Sequence, residues 1–350
     1  MMWPLQKKLP ITVDKMKLQW LPAMGLMMML ACGDARKAHN EPIFDAVGPI
    51  ERLPVTAMAP IRVAFWNVEN LFDTIDGPND DAEFLPGSKN AWGAERYERK
   101  LANLARVIDS IQPQIIGFAE VENEGVLYDL QSKCTALRGM KIAHIESPDA
   151  RGIDCALMYD STLFALSNLY DWTISLPSGY ATRGVLDANL TVSATQQSIH
   201  VYVNHWPSRR NGMEESQPNR IIASERLNRA IEENMDAKWV ALGDFNDNPN
   251  NESMLSLPGV NLAAQLRSQD STIGTLRWWT GWDFFDQIIT NAEPADAQQP
   301  MCIVKYDFML QQEGKYQGWP NRTFGGSTYL GGYSDHMPVY TDLLFSTQGL

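Results

Sequence analysis

The stretch Trp239 to Asn248, WVALGDFNDN, decides how this chain reads. Val240, Ala241 and Leu242 make a short apolar run of the kind that becomes a buried strand, and it stops at Gly243, where Asp244, Asn246 and Asp247 crowd the exit. Side chains alternate along an extended chain, so Asp244 and Asn246 are expected to point the same way off the rim of a sheet. A carboxylate beside a carboxamide makes a place for a hard cation or a phosphate ester. Taken alone, the decapeptide reads more simply as a strand followed by an Asp/Asn-rich turn. What adds weight is that other apolar runs end in the same way.

Working outward, Ile61 to Trp66 alternates like a strand, with Val63 and Phe65 on one face, and ends at Asn67. Leu101, Leu104, Ala105, Ile108 and Ile111 recur at helical spacing across Arg96 to Ile111, and Pro113 follows as a stop. Ile115 to Ala119 is a second buried strand and closes on Glu120. A strand-helix-strand unit with polar residues at both strand ends lines them along one sheet edge, where sites form in α/β sheets. Ile153 to Tyr159 is entered through Arg151-Gly152 with Asp154 near its start. Ser198 to Asn204 places Val201, Val203 and then His205 on one face. Ala223, Leu227, Ala230 and Ile231 mark a helix over roughly 219–234, Asp286 sits in the strand DFFDQII, and a glycine-rich loop, 325–332, feeds Ser334-Asp335-His336 and a closing strand, 339–343.

Asn67, Glu120, His205, GDFN at 243–246, Asp286 and SDH at 334–336 stand in the order found in the endonuclease/exonuclease/phosphatase superfamily. The chain resembles its deoxyribonuclease-like branch, most closely exported bacterial members with EVEN and NHWPSRR segments, over about residues 60 to 345. Each motif alone is weak; six in register are specific. The resemblance implies an α/β fold, a four-layer α/β/β/α sandwich of two mainly antiparallel sheets with helices outside and the site where the sheet ends meet. Carried over, it makes Glu120 the metal carboxylate with Asn67 and Asp335 close to the ion. It gives Asp244 and Asn246 the attacking water and a phosphate oxygen, sets His205 and His336 beside the scissile phosphate, and has Asp286 orient His336 and Asp154 partner His205. Arg183 matches a phosphate-contacting arginine. Read from their place in the loop after His205, Arg209 and Arg210 are candidates to contact a substrate phosphate and equally candidates for exposed charges.

The chemistry agrees with that assignment. Cleaving a phosphodiester requires a cation against developing charge and an acid for the leaving oxygen. Oxygen ligands such as Glu120, Asp335 and Asn67 select Mg²⁺ or Mn²⁺, and the scattered histidines make no zinc cage. Imidazole titrates near neutrality, so one histidine takes a proton while the other gives one. His39, His144 and His200 have no motif around them. Glu122 and Glu124 are expected to line solvent, and Trp278, Trp279, Trp282, Phe284 and Phe285 to pack a loop, with Trp282 and Phe285 as plugs, rather than to stack bases.

Composition bounds the rest. The 350 residues suffice for one large domain after an N-terminal extension, and the net charge of −13 disfavours a broad basic face for nucleic acid. Lys15 and Lys17 precede an apolar segment, Leu18 to Ala31, that ends at Cys32 and resembles a lipoprotein signal; it is short of the roughly 20 residues of a spanning helix. Residues 1–32 are therefore read as the export segment, 33–60, with Pro42, Pro49, Pro54 and Pro60, as a tether, and 61–350 as the domain. The expectation is an exported protein of the bacterial envelope, attached to membrane through Cys32 or secreted, with no obligate protein partner. Cys134, Cys155 and Cys302 form no metal pattern and read as small packed residues. The function expected is a metal-dependent extracytoplasmic nuclease acting on DNA or RNA. The alternatives are a sphingomyelinase-like or inositol-phosphate phosphoesterase and a catalytically idle surface lipoprotein.

Overall fold

The computed structural model describes residues 60–345 other than Asn211; the expected export segment, Cys32 and the tether up to residue 59 lie outside the described residues. Strand β1 (Ile61–Leu71) runs parallel to β2 (Ile115–Val121), and helix α1 (Ala94–Ile111) makes the crossover between them. Helix α2 (Glu124–Lys133) and two more strands follow, β3 (Met140–His144) and β4 (Asp154–Asp160). The closing strand Val339–Leu344 lies antiparallel on β1, and the first sheet, of seven strands, is completed by the short strands Glu293–Pro294 and Cys302–Ile303 on its far side.

The second sheet, of six strands, repeats the device. Strands β5 (Phe164–Trp172), β6 (Val185–Val192) and β7 (Ser198–His205) form an antiparallel meander. Helix α3 (Met213–Glu232) then returns the chain to β8 (Lys238–Asp244), parallel to β7. Strand Asp286–Thr290 pairs antiparallel with β8 and sets Asp286 directly opposite Asp244. Helix α3 begins at Met213, ahead of the expected start, and carries Pro218 inside it.

Alternation explains why the central strands are apolar on both faces. Val63, Phe65, Val201, Val203, Val240, Leu242 and Ile288 meet between the sheets. Their neighbours Ala64, Trp66, Ile116 and Phe118 pack under α1 and α2, and Tyr202 and Ala241 under α3. Helix, sheet, sheet and helix are thus four layers, as the resemblance implied. Gly117 lets the sheets approach, since a Cβ there would stand 2.2 Å from Leu242 Cδ1. Truncating an inter-sheet residue such as Leu242 to Ala is expected to cost about 2–5 kcal/mol. Among the described residues no helix is long and apolar enough to cross a membrane.

The same alternation carries three polar side chains to one rim. Continuing 63, 65 leads to Asn67; 201, 203 to His205; 240, 242 to Asp244. All three are buried. The rim is therefore a consequence of strand periodicity rather than of any loop.

Candidate active site

Asp286 comes to that rim because its strand runs antiparallel to β8, and His336 because it precedes the closing strand antiparallel to β1. The SDH turn is stitched down at several points. Ser334 Oγ donates to the Asn67 carbonyl (2.7 Å), Trp66 Nε1 donates to the His336 carbonyl (2.9 Å), and the His336 amide donates to Ser334 Oγ (3.0 Å). Buried Lys100 on α1 donates to Thr323 Oγ1 and the Tyr333 carbonyl, both at 2.7 Å, fixing the glycine-rich segment; burial lowers its pKa to about 8.

Glu120 reaches the crevice by a different route. Strict alternation from Ala119, which faces the inter-sheet core, would turn Glu120 toward the helices. The register of β2 on β4 shifts between Ala119 and Val121, and Glu120 takes φ 63°, so a bulge swings its carboxylate back. A non-glycine residue in the left-handed region costs free energy that the surrounding bonds must offset. Oε1 accepts from Asn67 Nδ2 (3.2 Å) and Oε2 from the Asn70 amide (3.0 Å).

Asn67 joins the two sheets, its Nδ2 donating also to Asp244 Oδ2 at 3.0 Å. Asn67 Oδ1 accepts the Glu69 amide (3.0 Å), which fixes the orientation of the carboxamide. Asn67 thus turns its donor toward the two carboxylates, and its Oδ1 keeps one lone pair beyond the Glu69 amide. Asp335 gives one oxygen to Arg322, whose Nη2 holds Oδ2 at 2.8 Å while its Nε holds Glu69 at 2.9 Å.

His336 Nδ1 lies 2.7 Å from Asp286 Oδ2, as expected, and its Nε2 is 3.8 Å from Asp244 Oδ2. Burial pulls the His336 pKa down, yet the facing carboxylates of Asp286 and Asp244 outweigh it and hold the imidazole well above its ordinary value. His205 is the opposite case. Its Nε2 is 3.8 Å from both Glu120 Oε1 and Asp244 Oδ2. Burial first, then the Arg183 and Arg151 charges, push its pKa well below the ordinary value. Burial raises the Asp244 carboxyl, against the opposing pull of His336.

Two expected residues go elsewhere. Asp154 does not partner His205: its Oδ2 meets His144 Nε2 at 2.9 Å and its Oδ1 accepts the Ser147 amide at 3.0 Å. Arg209 is braced by protein groups: its Nε donates to the Asn246 carbonyl (2.8 Å) and its Nη2 to Asp247 (2.9 Å) and Asn251 (3.0 Å). Asn246, at φ 51°, has left the strand, so it does not continue the alternation from Asp244; its amide donates to Asp244 Oδ1 (3.0 Å) and its Nδ2 to the Trp206 carbonyl (3.0 Å). Glu122 is buried rather than solvent-lining, accepts the Asp73 amide at 2.7 Å, and burial lifts its pKa to about 7. The aromatic run divides: Phe284 and Phe285 are buried and Trp282 half-buried, while Trp278 and Trp279 stay exposed.

Arg183 lies where the crevice opens. Asp149, itself buried, holds Arg183 Nη1 at 2.7 Å and also Arg151 Nη2 at 2.9 Å, while Arg183 Nη2 donates to the carbonyls of His205 and Trp206. Neither Asp149 nor Arg151 was marked by periodicity, since both come from a loop. Buried polar atoms are ordinarily satisfied. Three that lack a hydrogen-bond partner among the described residues, Arg183 Nε, His205 Nδ1 and Asp286 Oδ1, belong to this one crevice.

The donor set accommodates a divalent cation. Each Glu120 oxygen accepts one hydrogen bond, which leaves lone pairs open, and Mg²⁺ characteristically uses one or two carboxylates, waters and substrate phosphate. Asp244, Asp286 and His336 also present ligand atoms within 4.8 Å of one another, but the short His336 to Asp286 contact suits a held proton better.

Residues 62–344 match the Endonuclease/Exonuclease/phosphatase family. Solved structures similar to the chain include the human Nocturnin catalytic domain with bound sulfate anion, 16% identical over 83% of this chain and 96% of that one, TM-score 0.52. Humanized D. rerio TDP2 is 15% identical over 82% and 99%, TM-score 0.54. A Bacteroides thetaiotaomicron mannosyl-6-phosphatase is 16% identical over 81% and 100%, TM-score 0.52. At these identities the likeness is one of fold. No curated protein matches the sequence.

Proposed function

Because the chain belongs to the Endonuclease/Exonuclease/phosphatase family, whose members hydrolyse phosphoesters, we propose that it is a Mg²⁺- or Mn²⁺-dependent phosphodiester hydrolase acting on nucleic acid outside the cytoplasm. The observation that carries this is the meeting of Glu120, His205, Asp244 and the Asp286–His336 pair at one rim. A cation on Glu120 would neutralise charge gathering on the phosphate oxygens. Asp244 holds and polarises the attacking water, and neutral His205, 3.8 Å from Asp244 Oδ2, takes its proton. Water oxygen bonds to phosphorus as the ester oxygen departs. His336, kept protonated by Asp286, gives that oxygen its proton, so the two histidines end with exchanged charge.

Purified residues 33–350 are expected to hydrolyse bis(p-nitrophenyl) phosphate with Mg²⁺ and to lose that activity with EDTA or in Glu120→Ala. Activity that survives both overturns the reading. A panel of plasmid DNA, RNA, sphingomyelin and inositol phosphates then ranks substrates. A small phosphate ester is the second reading, favoured by the pocket of about 530 Å³ beside Glu120, a size suited to a small molecule. Export rests on the sequence from Lys15 to Cys32, and fatty-acid labelling of the full chain that disappears in Cys32→Ser is the expected result.

A further inference from the structure

The pocket next to Glu120 and His205 gathers three guanidiniums on one wall of the site. Its volume, about 530 Å³, falls within the roughly 300–1,000 Å³ of small-molecule sites, and Arg151, Arg183, Arg210 and Tyr180 all line it. Given the hydrolase reading above, we infer that this pocket is an anion subsite that takes a second phosphate, carried on the part of the substrate retained after cleavage.

Four observations carry the inference. First, Asp149 grips Arg183 and Arg151 together and so presents two guanidiniums in fixed positions at the wall. Arg151 gives Nε and Nη2 to Asp149 and keeps Nη1 without a partner among the described residues, and a guanidinium fixed in this way loses little freedom on binding an anion. Second, Arg210, adjacent to the braced Arg209, is exposed and has no ion-pair or hydrogen-bond partner among the described residues, yet it too lines the pocket. Third, Arg183 is buried and its Nε lacks a partner. Fourth, Asp149 and Glu215 offset two of the three arginines, so with Glu120 occupied by a cation one guanidinium charge is left for an anion.

The side of the phosphate follows from what the pocket reaches. It touches His205 and Glu120, whereas His336, Asp286 and Asp244 are not among its walls. The leaving oxygen takes its proton from His336, so the departing group exits on the far side and the retained fragment faces the arginines. Leu176 and Pro207 are the aliphatic lining, too little for an acyl chain, which turns the pocket toward a nucleotide-sized, doubly phosphorylated group rather than a lipid.

The test uses thymidine p-nitrophenyl phosphates esterified at the 3′ or the 5′ position, each with and without a phosphate on the other hydroxyl. Wild type is expected to favour the doubly phosphorylated probe at least tenfold in kcat/KM in one orientation, through KM. Arg210→Gln should erase most of that preference and Arg210→Lys keep part of it. Arg210 is the variant of choice because it is exposed and is not among the charges that act on His205. Equal cleavage of all matched pairs by wild type, or a preference untouched in Arg210→Gln, overturns the subsite and leaves the hydrolase reading standing. No cleavage of any probe with Mg²⁺ overturns both.

Discussion

His336 and His205 share a neighbour and little else. Each places Nε2 3.8 Å from Asp244 Oδ2, and His205 Nε2 is as far from Glu120, but behind the ring His336 Nδ1 meets the carboxylate of Asp286, while His205 has the guanidiniums braced by Asp149. The same imidazole is therefore pushed toward imidazolium at one place and toward the neutral ring at the other. What decides the role is the charge brought up behind each ring, and those charges arrive by different means. Asp286 is delivered by strand pairing; Arg151 and Arg183 are delivered by loops tied to a buried carboxylate.

The largest effect that tests this contrast comes from His336→Ala. Loss of a general acid is expected to reduce kcat by about 10²–10⁴-fold. Measured on bis(p-nitrophenyl) phosphate, with its good leaving group, the loss should be smaller than on a dinucleotide whose leaving oxygen needs the proton more. His205→Ala should hit both substrates alike. If the two alanine variants respond identically to the leaving group, the assignment of acid and base is wrong.

Asp286→Asn sharpens the same point with a smaller loss, about 10–100-fold. The carboxylate raises the His336 pKa, so its removal lowers that pKa. An acid must be protonated to act, and the alkaline limb of the pH–rate profile should therefore move to lower pH. Linkage gives a matching sign for stability. A group raised above its unfolded value near 6.5 stabilises fully below that value, and loses the contribution as pH climbs through its folded pKa. Urea titrations at several pH values should show that dependence weakened in Asp286→Asn.

Arg151→Gln acts on the other ring and more weakly. Arg151 is one of the charges that lower His205, so its loss lets the His205 pKa rise. A base must be unprotonated, hence the acid limb should move to higher pH, with only a few-fold change in kcat at neutral pH. An acid limb that stays in place would show that Arg151 serves binding alone.

The contrast also marks what the letters of the sequence can carry. Asn67, His205 and Asp244 were legible because period-two alternation propagates from buried valines and leucines to the strand end. Glu120 was picked out by motif, and its direction comes from a bulge and a φ of 63° that alternation does not predict. The direction of the Asn67 carboxamide is set just as locally, by a single Glu69 amide that fixes which end faces the site. Arg151, Asp149 and Tyr180 lie in loops, which have no period to read. The neighbours Arg209 and Arg210 were indistinguishable as letters; Asp247 and Asn251 captured one and left the other to the pocket.

Asp154 is the residue on which alternation and resemblance most clearly part from the structure, and it supplies the smallest predicted effect. It stands at the start of β4, buried, with His144 on one oxygen and the Ser147 amide on the other. Asp154→Asn keeps the size of the side chain and retains an acceptor, so the expected outcome is a stability loss of about 1–2 kcal/mol from the weakened hydrogen bonds. The pH–rate profile should stay within about twofold of wild type, because general acid–base terms of 10²-fold or more reside in other side chains. A larger drop in kcat, with an acid limb displaced as in Arg151→Gln, would mean that Asp154 reaches His205 during turnover. The electrical asymmetry between the two histidines would then be smaller than their resting surroundings imply, since His205 would gain a directly bonded carboxylate to match the Asp286 of His336.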